Sequence, residues 1–252
     1  MVLTRALVVS LTLAAGAAAT AAEDARNWHE LPDFSALRQE IGWREDFWDI
    51  CENNRPIQNM RALMDGNPKS AVRLGRSWLE KCPVDVRIHH ETFVALTKSG
   101  DPEEGQVHLE WSKGLMSAIA ATGDGKTPAT AYETISVGEG YAVLHLLRLR
   151  LVERSTVEDE TGMIVADAMT VEHPDGSTST MYFSPKAHFA RIRAAASRIP
   201  PDVLERMVQA VGAPSDDPDE RRTAIRNAVK SLPQDVSDEI DAAMSTGPEP
   251  KQ

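Results

Sequence analysis

Residues 71–119, AVRLGRSWLEKCPVDVRIHHETFVALTKSGDPEEGQVHLEWSKGLMSAI, decide how the chain is built. Ala71, Leu74, Trp78 and Leu79 fall on one helical face, and that stripe stops at Cys82-Pro83. Val86, His89, Phe93 and Leu96 form a second stripe, stopped by Ser99-Gly100-Asp101-Pro102. His108, Trp111, Leu115 and Ile119 form a third, stopped at Thr122-Gly123. Apolar residues three and four apart are the mark of a helix with one buried face, and Pro and Gly-Asp breaks end such helices. Three helices of about fifteen residues with short links pack as antiparallel hairpins.

The arrangement resembles one and a half tetratricopeptide repeats. Pro83 stands where that repeat has its terminal Pro, Gly100-Asp101 where its inter-helix turn falls, and Gly105 and Ser112 at its small positions. His89 replaces the usual Trp, and Phe93 occupies a position that is normally small. Fewer than three repeats cannot close their own core, so the resemblance implies packing against another surface.

Upstream, Glu23–Asp33 reads as an extended lead-in, Phe34–Ile41 and Glu45–Cys51 as short helical pieces, and Ile57–Met64 as a further helix. Downstream of Gly123 the character changes. Thr134–Val137 is a short β run, Glu139–Leu149 a helix with Tyr141, Leu144, Leu147 and Leu151 at apolar spacings, and Thr156–Gly162 a charged loop. Met163–Glu172 alternates, Pro174-Asp175-Gly176 is a hairpin turn and Thr178–Phe183 is the returning strand. Ala187–Ile199, Asp202–Val211, Asp219–Leu232 and Asp235–Met244 have helical spacing, and the last eight residues, Ser245–Gln252, lack the apolar content of a packed segment. The expected organisation is therefore a helical region over 23–122, a small α+β unit over 123–199, C-terminal helices over 200–244 and a disordered tail over 245–252. The fold class is α+β, with helical hairpins packed on a small mixed unit that contains a β-hairpin.

The segment Gly123-Asp-Gly-Lys-Thr-Pro-Ala-Thr-Ala-Tyr132, with Ile135-Ser-Val137, Tyr141-Ala-Val-Leu144 and Met181-Tyr-Phe183, is similar to an uncharacterised bacterial family, a domain of unknown function with many exported members. The resemblance spans roughly residues 33–190. It implies a helical first half and a mixed second half, and it implies no activity.

The chain opens with a basic start at Arg5, an apolar run over Ala6–Ala19 and a small-residue exit at Ala19-Thr20-Ala21-Ala22. That is the pattern of a secretory signal peptide over residues 1–22, cleaved near Ala21 or Ala22, and it predicts a periplasmic or secreted protein. The run is short for a membrane span, so no stable insertion of the mature chain is expected. In an oxidising compartment the two cysteines, Cys51 and Cys82, are expected to form one disulfide, the alternative being two buried thiols.

The formal charge of −11, with no stripe of Lys and Arg, argues against nucleic acid as a partner. All five Trp lie before residue 112, so the large rigid anchors belong to the N-terminal half. Gly123-Asp-Gly-Lys-Thr127 looks like the end of a phosphate-binding loop, but position 120 is Ala and Pro128 follows, so no nucleotide or other cofactor is implied. His89, His90, Glu91, His108 and Glu110 make the one acid-histidine cluster. Adjacent His89 and His90 point to different helix faces, so no metal is assigned. Ser136, Ser184 and His188 have no triad spacing. Two functional readings stand at this point. One is non-catalytic binding or structural work in the envelope, on a protein or peptide partner. The other is a hydrolase with a site between the halves, around His89, His108, Lys126 and Tyr132.

Overall fold

A computed structural model describes residues 26–160 and 162–197. The signal peptide, the helices expected beyond residue 200 and the tail lie outside the described residues. Four helices lead the chain: α1 (Phe34–Gly42), α2 (Ile57–Leu63), α3 (Pro68–Lys81) and α4 (Val86–Ser99), with a π-helical turn at Trp48–Glu52. The longest helix, α5 (Pro102–Ala120), precedes β1 (Tyr132–Glu133), α6 (Val137–Leu146), β2 (Arg150–Glu158), β3 (Ile164–Glu172), β4 (Thr178–Ser184) and α7 (Lys186–Ser197). The architecture is mixed α+β.

Local chemistry sets the helix boundaries. The side chains of Asn67, Asp85 and Asp101 each accept a backbone N–H at the start of α3, α4 and α5. Pro68 and Pro102 occupy first-turn positions, where the missing N–H costs nothing. Helix α4 ends at Gly100, whose φ of 91° is left-handed, and Asp101 N–H reaches back to Leu96 O over 3.0 Å. Consecutive helices α3, α4 and α5 pack side by side, α1 leans on α5, and α6 covers α4 from the sheet side. At the α3–α4 contact Gly75 is needed for space: a Cβ there would sit 2.2 Å from Thr92 Oγ1 and 2.7 Å from Met60 Cε.

The sheet order is β1-β4-β3-β2, with β1 parallel to β4 and the other pairs antiparallel. Met169, Val171 and Phe183 on its covered face meet Val143 and Leu144 of α6 and Ile119 of α5. That cluster is separate from the larger helical core, which holds Met60, Ala71, Leu79, Ile88, Trp111 and Leu115. The β3–β4 turn closes with His173 N–H on Ser177 O and a left-handed Gly176.

Three expected boundaries shift. The first strand is Tyr132–Glu133 rather than Thr134–Val137, because Ser136 caps α6 and draws Val137 into the helix. Helix α6 stops at Leu146 rather than Leu149, because Arg148 takes a left-handed φ of 57° and turns the chain. Thr156–Glu158 is strand rather than loop, so Leu151 lies in β2 and not on the α6 stripe.

Cys51 and Cys82 are bonded, with Cα atoms 5.1 Å apart, and both are buried. The bridge ties the π-helical turn to the end of α3. Closing a loop of 31 residues is worth about 3–4 kcal/mol in the chain-entropy model. The paired Cys51→Ser and Cys82→Ser variant should lose about that much unfolding free energy in urea; an unchanged value would show that the bridge contributes no stability. Gly75→Val should cost about 1–3 kcal/mol through overpacking against Thr92 and Met60. Gly66→Ala, with open space around it, should stay within about 0.5 kcal/mol of the parent.

Candidate functional site

Two buried polar constellations stand out. The first lies in the α4–α5 hairpin, where His89 and His108 face each other with Nδ1 atoms 3.1 Å apart. Both residues are fully buried. His89 Nε2 lies 3.0 Å from Pro83 O, which can only accept, so Nε2 carries the hydrogen of His89. In the neutral pair His89 Nδ1 is then the acceptor and His108 Nδ1 the donor. That leaves His108 Nε2 as a buried acceptor with no partner among the described residues. Burial holds His89 well below the usual imidazole range, and the neighbouring His108 adds to this. Burial, with Arg76 and His29 nearby, lowers His108 to about 4. Trp111 stacks on His89 at 5.0 Å between centroids, and Trp28 packs against both imidazoles at 5.4 and 5.5 Å.

The remaining members of the acid-histidine cluster point elsewhere. His90 turns toward Phe93 and His145. Glu91 is buried in an ion pair with Arg87, and Glu110 is exposed beside Lys113. Among the described residues, no group of three or more His, Cys, Asp or Glu is placed to hold a metal ion.

Lys126 and Tyr132 belong to a different place. Lys126 is exposed, its ammonium 3.7 Å from Asp124. The loop around it is a tight connection in which Thr130 O accepts from the N–H groups of Asp124 and Gly125, and Gly125 O accepts from Tyr182 N–H. Tyr132 packs on Phe183 at the sheet, and a Cβ on Gly125 would lie 2.2 Å from its ring. The structure thus joins His89 to His108 and places Lys126 in the sheet-side loop and Tyr132 at the start of β1.

The second constellation lies at the junction of the helical half and the sheet half. Arg38, on α1, donates to both oxygens of Glu139, on α6, at 3.2 and 2.7 Å. Glu139 also accepts from Ile135 N–H at 2.8 Å, and Arg38 donates to Glu133 O. Beside this pair Arg55 donates to Asp85 at 2.7 Å, and Asp85 also accepts from Trp78 Nε1 and Ile88 N–H. Arg191 of α7 donates to Ile135 O and Gly42 O and lies over the Phe47 ring. Burial lowers the Arg191 guanidinium to about 10. Glu52, beside them, is pushed upward by burial, with Arg55 pulling the other way.

Of these groups Glu52, Arg55, Asp85 and Glu139 line a pocket with Phe47, the Cys51–Cys82 bridge, Val84 and Ser136. Its volume is about 20 Å³, enough for a water-sized molecule and far below the few hundred Å³ of a small-molecule site. The arrangement can orient backbone and hold charge; it has no room for a substrate.

None of Arg38, Glu139, Arg55 or Arg191 was among the residues expected to matter. Partners separated by 101 positions, as Arg38 and Glu139 are, leave no local trace. One signal was available: Ser136-Val-Gly-Glu139 has the Ser-x-x-Glu form of a helix start, and Ser136 Oγ does accept from Glu139 N–H.

Neither a curated protein nor a solved structure matches the chain. A family model does match, over residues 49–192, from the turn that carries Cys51 through Arg191, and so takes in the bridge, both members of the histidine pair and the whole sheet. That match covers more than half of the sequence, and the chain belongs to the family described as a domain of unknown function, DUF4919.

Proposed function

We propose that the protein is an exported, non-catalytic component of the bacterial envelope that binds a protein or peptide partner. The observation that carries this reading is how its buried ionisable groups are used. Arg38, Arg55, Asp85 and Glu139 are spent on one another and on backbone groups, and the pocket lined by Arg55, Asp85 and Glu139 has space for a water-sized molecule. A protein with this interior acts through its surface.

The surface best suited to a partner is the edge of β2, which no strand pairs among the described residues. Val152 is about half exposed there, as is Leu147 at the end of α6, and Tyr141 is within hydrogen-bonding reach of Arg154. An extended peptide added to a sheet edge gains main-chain hydrogen bonds and reads alternate side chains. Register shifts between Leu151 and Glu153 and between Val157 and Glu158 narrow the regular window to Glu153–Val157. Bulges of this kind also protect the edge from indiscriminate pairing. The helical hairpins are less open, since α3, α5 and α6 surround α4. The buried disulfide supports export, because such bridges persist in oxidising compartments.

Two measurements test the reading. Protein taken from the envelope fraction should begin at Ala22 or Glu23 on N-terminal sequencing; a chain that retains residues 1–21 in the cytoplasm would overturn export. A photocrosslinking residue at position 152 should give a discrete adduct in intact cells, and one at Lys113, on the far surface of α5, should not. Equal labelling at both positions, or none at 152, would remove the β2 edge as the binding surface.

A further inference from the structure

The histidine pair has a lid, and the lid is a single residue of the lead-in. Among residues 26–33 only Trp28 is buried, and its neighbours on either side are exposed. It packs on His89, His108 and Trp111 together, and its carbonyl accepts from Trp111 Nε1 at 2.7 Å. Trp28 is thus the residue of the lead-in that covers both imidazoles.

In the neutral pair every N–H is used and one acceptor, His108 Nε2, is left over. Each neutral ring has one N–H, and both are in use: His89 Nε2–H on Pro83 O and His108 Nδ1–H on His89 Nδ1. An added proton has two places to go. On His89 Nδ1 it sets hydrogen against hydrogen across 3.1 Å and breaks the bond between the rings. On His108 Nε2 it creates a buried donor with no acceptor, in the field of Arg76. The charged and titratable groups around the pair come from each side. Arg26 and His29 are on the lead-in, Arg26 lying over the Trp28 ring. Arg76 on α3 and Glu104 on α5 pair with each other, and Glu104 also holds His29. The single carboxylate in this group, Glu104, already pairs with Arg76 and His29, so it is not free to neutralise an imidazolium.

We propose that residues 26–32 form an acid-released lid, in which Trp28 seals the His89–His108 pair at neutral pH and leaves when the pair takes up a proton. Departure admits water to both rings and exposes Trp111, converting a sealed aromatic core into an open pocket at the head of the α4–α5 hairpin. The sign follows from the depressed affinity of the closed pair for protons. The open form binds protons near the ordinary imidazole value of about 6.5. Closure is therefore favoured in full above about pH 6.5 and is lost as pH falls from there toward 4. The ratio of open to closed should rise by up to about tenfold per pH unit for one proton taken up and about a hundredfold for two.

Hydrogen exchange read by mass spectrometry, corrected for the intrinsic effect of pH, separates the lid from the body. Between pH 7.5 and 4.5, protection over residues 26–33 should fall at least tenfold while the centres of α4 and α5 stay protected. In His108→Gln the side-chain amide can still donate to His89 and does not titrate; the fall should shrink to less than half of the parent's. Unchanged protection over 26–33 at pH 4.5 would overturn the proposal. Loss of protection in α4 and α5 in step with the lid would overturn it as well, since that is global acid unfolding. An undiminished fall in His108→Gln would remove the pair as the sensor. Should that variant not fold, the parent alone still decides, because separate and concerted loss are distinguishable in the same exchange data.

Discussion

Four donors converge on the carboxylate of Asp85, and the helical half is organised around that convergence. Arg55 supplies two of them from the segment after the π-helical turn, Trp78 one from α3, and the Ile88 N–H one from the first turn of α4. A carboxylate has about four acceptor positions, so this one is saturated. Its sequence neighbour Cys82 carries the disulfide back to Cys51, three residues before Asn54, which adopts a left-handed φ of 57° and turns the chain toward Arg55. One anion and one covalent bond thus fix the same corner from two directions. Breaking a buried pair of this kind by removing one partner typically costs 3–5 kcal/mol, because the other charge is left stranded. Asp85 is therefore placed where loss of one group loosens α3, α4 and the turn together.

Glu139 repeats the device between the halves. Its carboxylate accepts from Arg38 twice and from Ile135 N–H, so α1, the strand exit and α6 are joined at one point. The sheet has its own small apolar cluster, which α6 and the end of α5 cover. Apolar contact alone is tolerant of sliding, whereas a bidentate guanidinium–carboxylate pair has a fixed geometry. The junction is held by direction-specific contacts: Arg38 on Glu139, Arg191 on Ile135 O, and the cation over the Phe47 ring. This is why its acids and bases make poor candidates for chemistry. Each is already committed to geometry.

What was legible in the sequence follows the same division. The α3, α4 and α5 helices were readable because their apolar stripes coincide with caps at Asn67, Asp85 and Asp101 and with breaks at Pro83 and Gly100. The β3–β4 hairpin was readable from alternation and the Pro-Asp-Gly turn. Strand β2 was not, because it is an edge: only Leu151 and Val157 are even partly buried, and its other seven residues carry no periodicity. The apolar spacing of Leu147 and Leu151 continued the α6 pattern past the point where Arg148 ends the helix, and nothing in an arginine announces a left-handed residue. His89 and His108 stand on consecutive stripes, and the α4–α5 hairpin brings them together. Their closure by Trp28, from about sixty residues upstream, is a tertiary fact without a local signature, as are the two arginine–carboxylate pairs.

The contrast between these polar sites separates rigid from yielding parts of the molecule. A buried network in which every donor and acceptor is matched stiffens its surroundings, since any displacement leaves something unpaired. Asp85 and Glu139 meet that condition. The histidine pair falls one bond short, with its free Nε2 on His108. An incomplete network has less to lose when it opens, and this one lies under the thinnest cover, a lead-in anchored by one indole. The cost of opening is the exposure of Trp28 and two imidazoles; water on His108 Nε2 and, at lower pH, hydration of an imidazolium offset part of it. At Asp85, with four donors, and at Glu139, with three, opening breaks several charge-assisted bonds at once, and water must replace all of them. The corner built on Asp85 should therefore hold its shape under conditions that move Trp28, even though His89 lies only one helical turn along α4 from it.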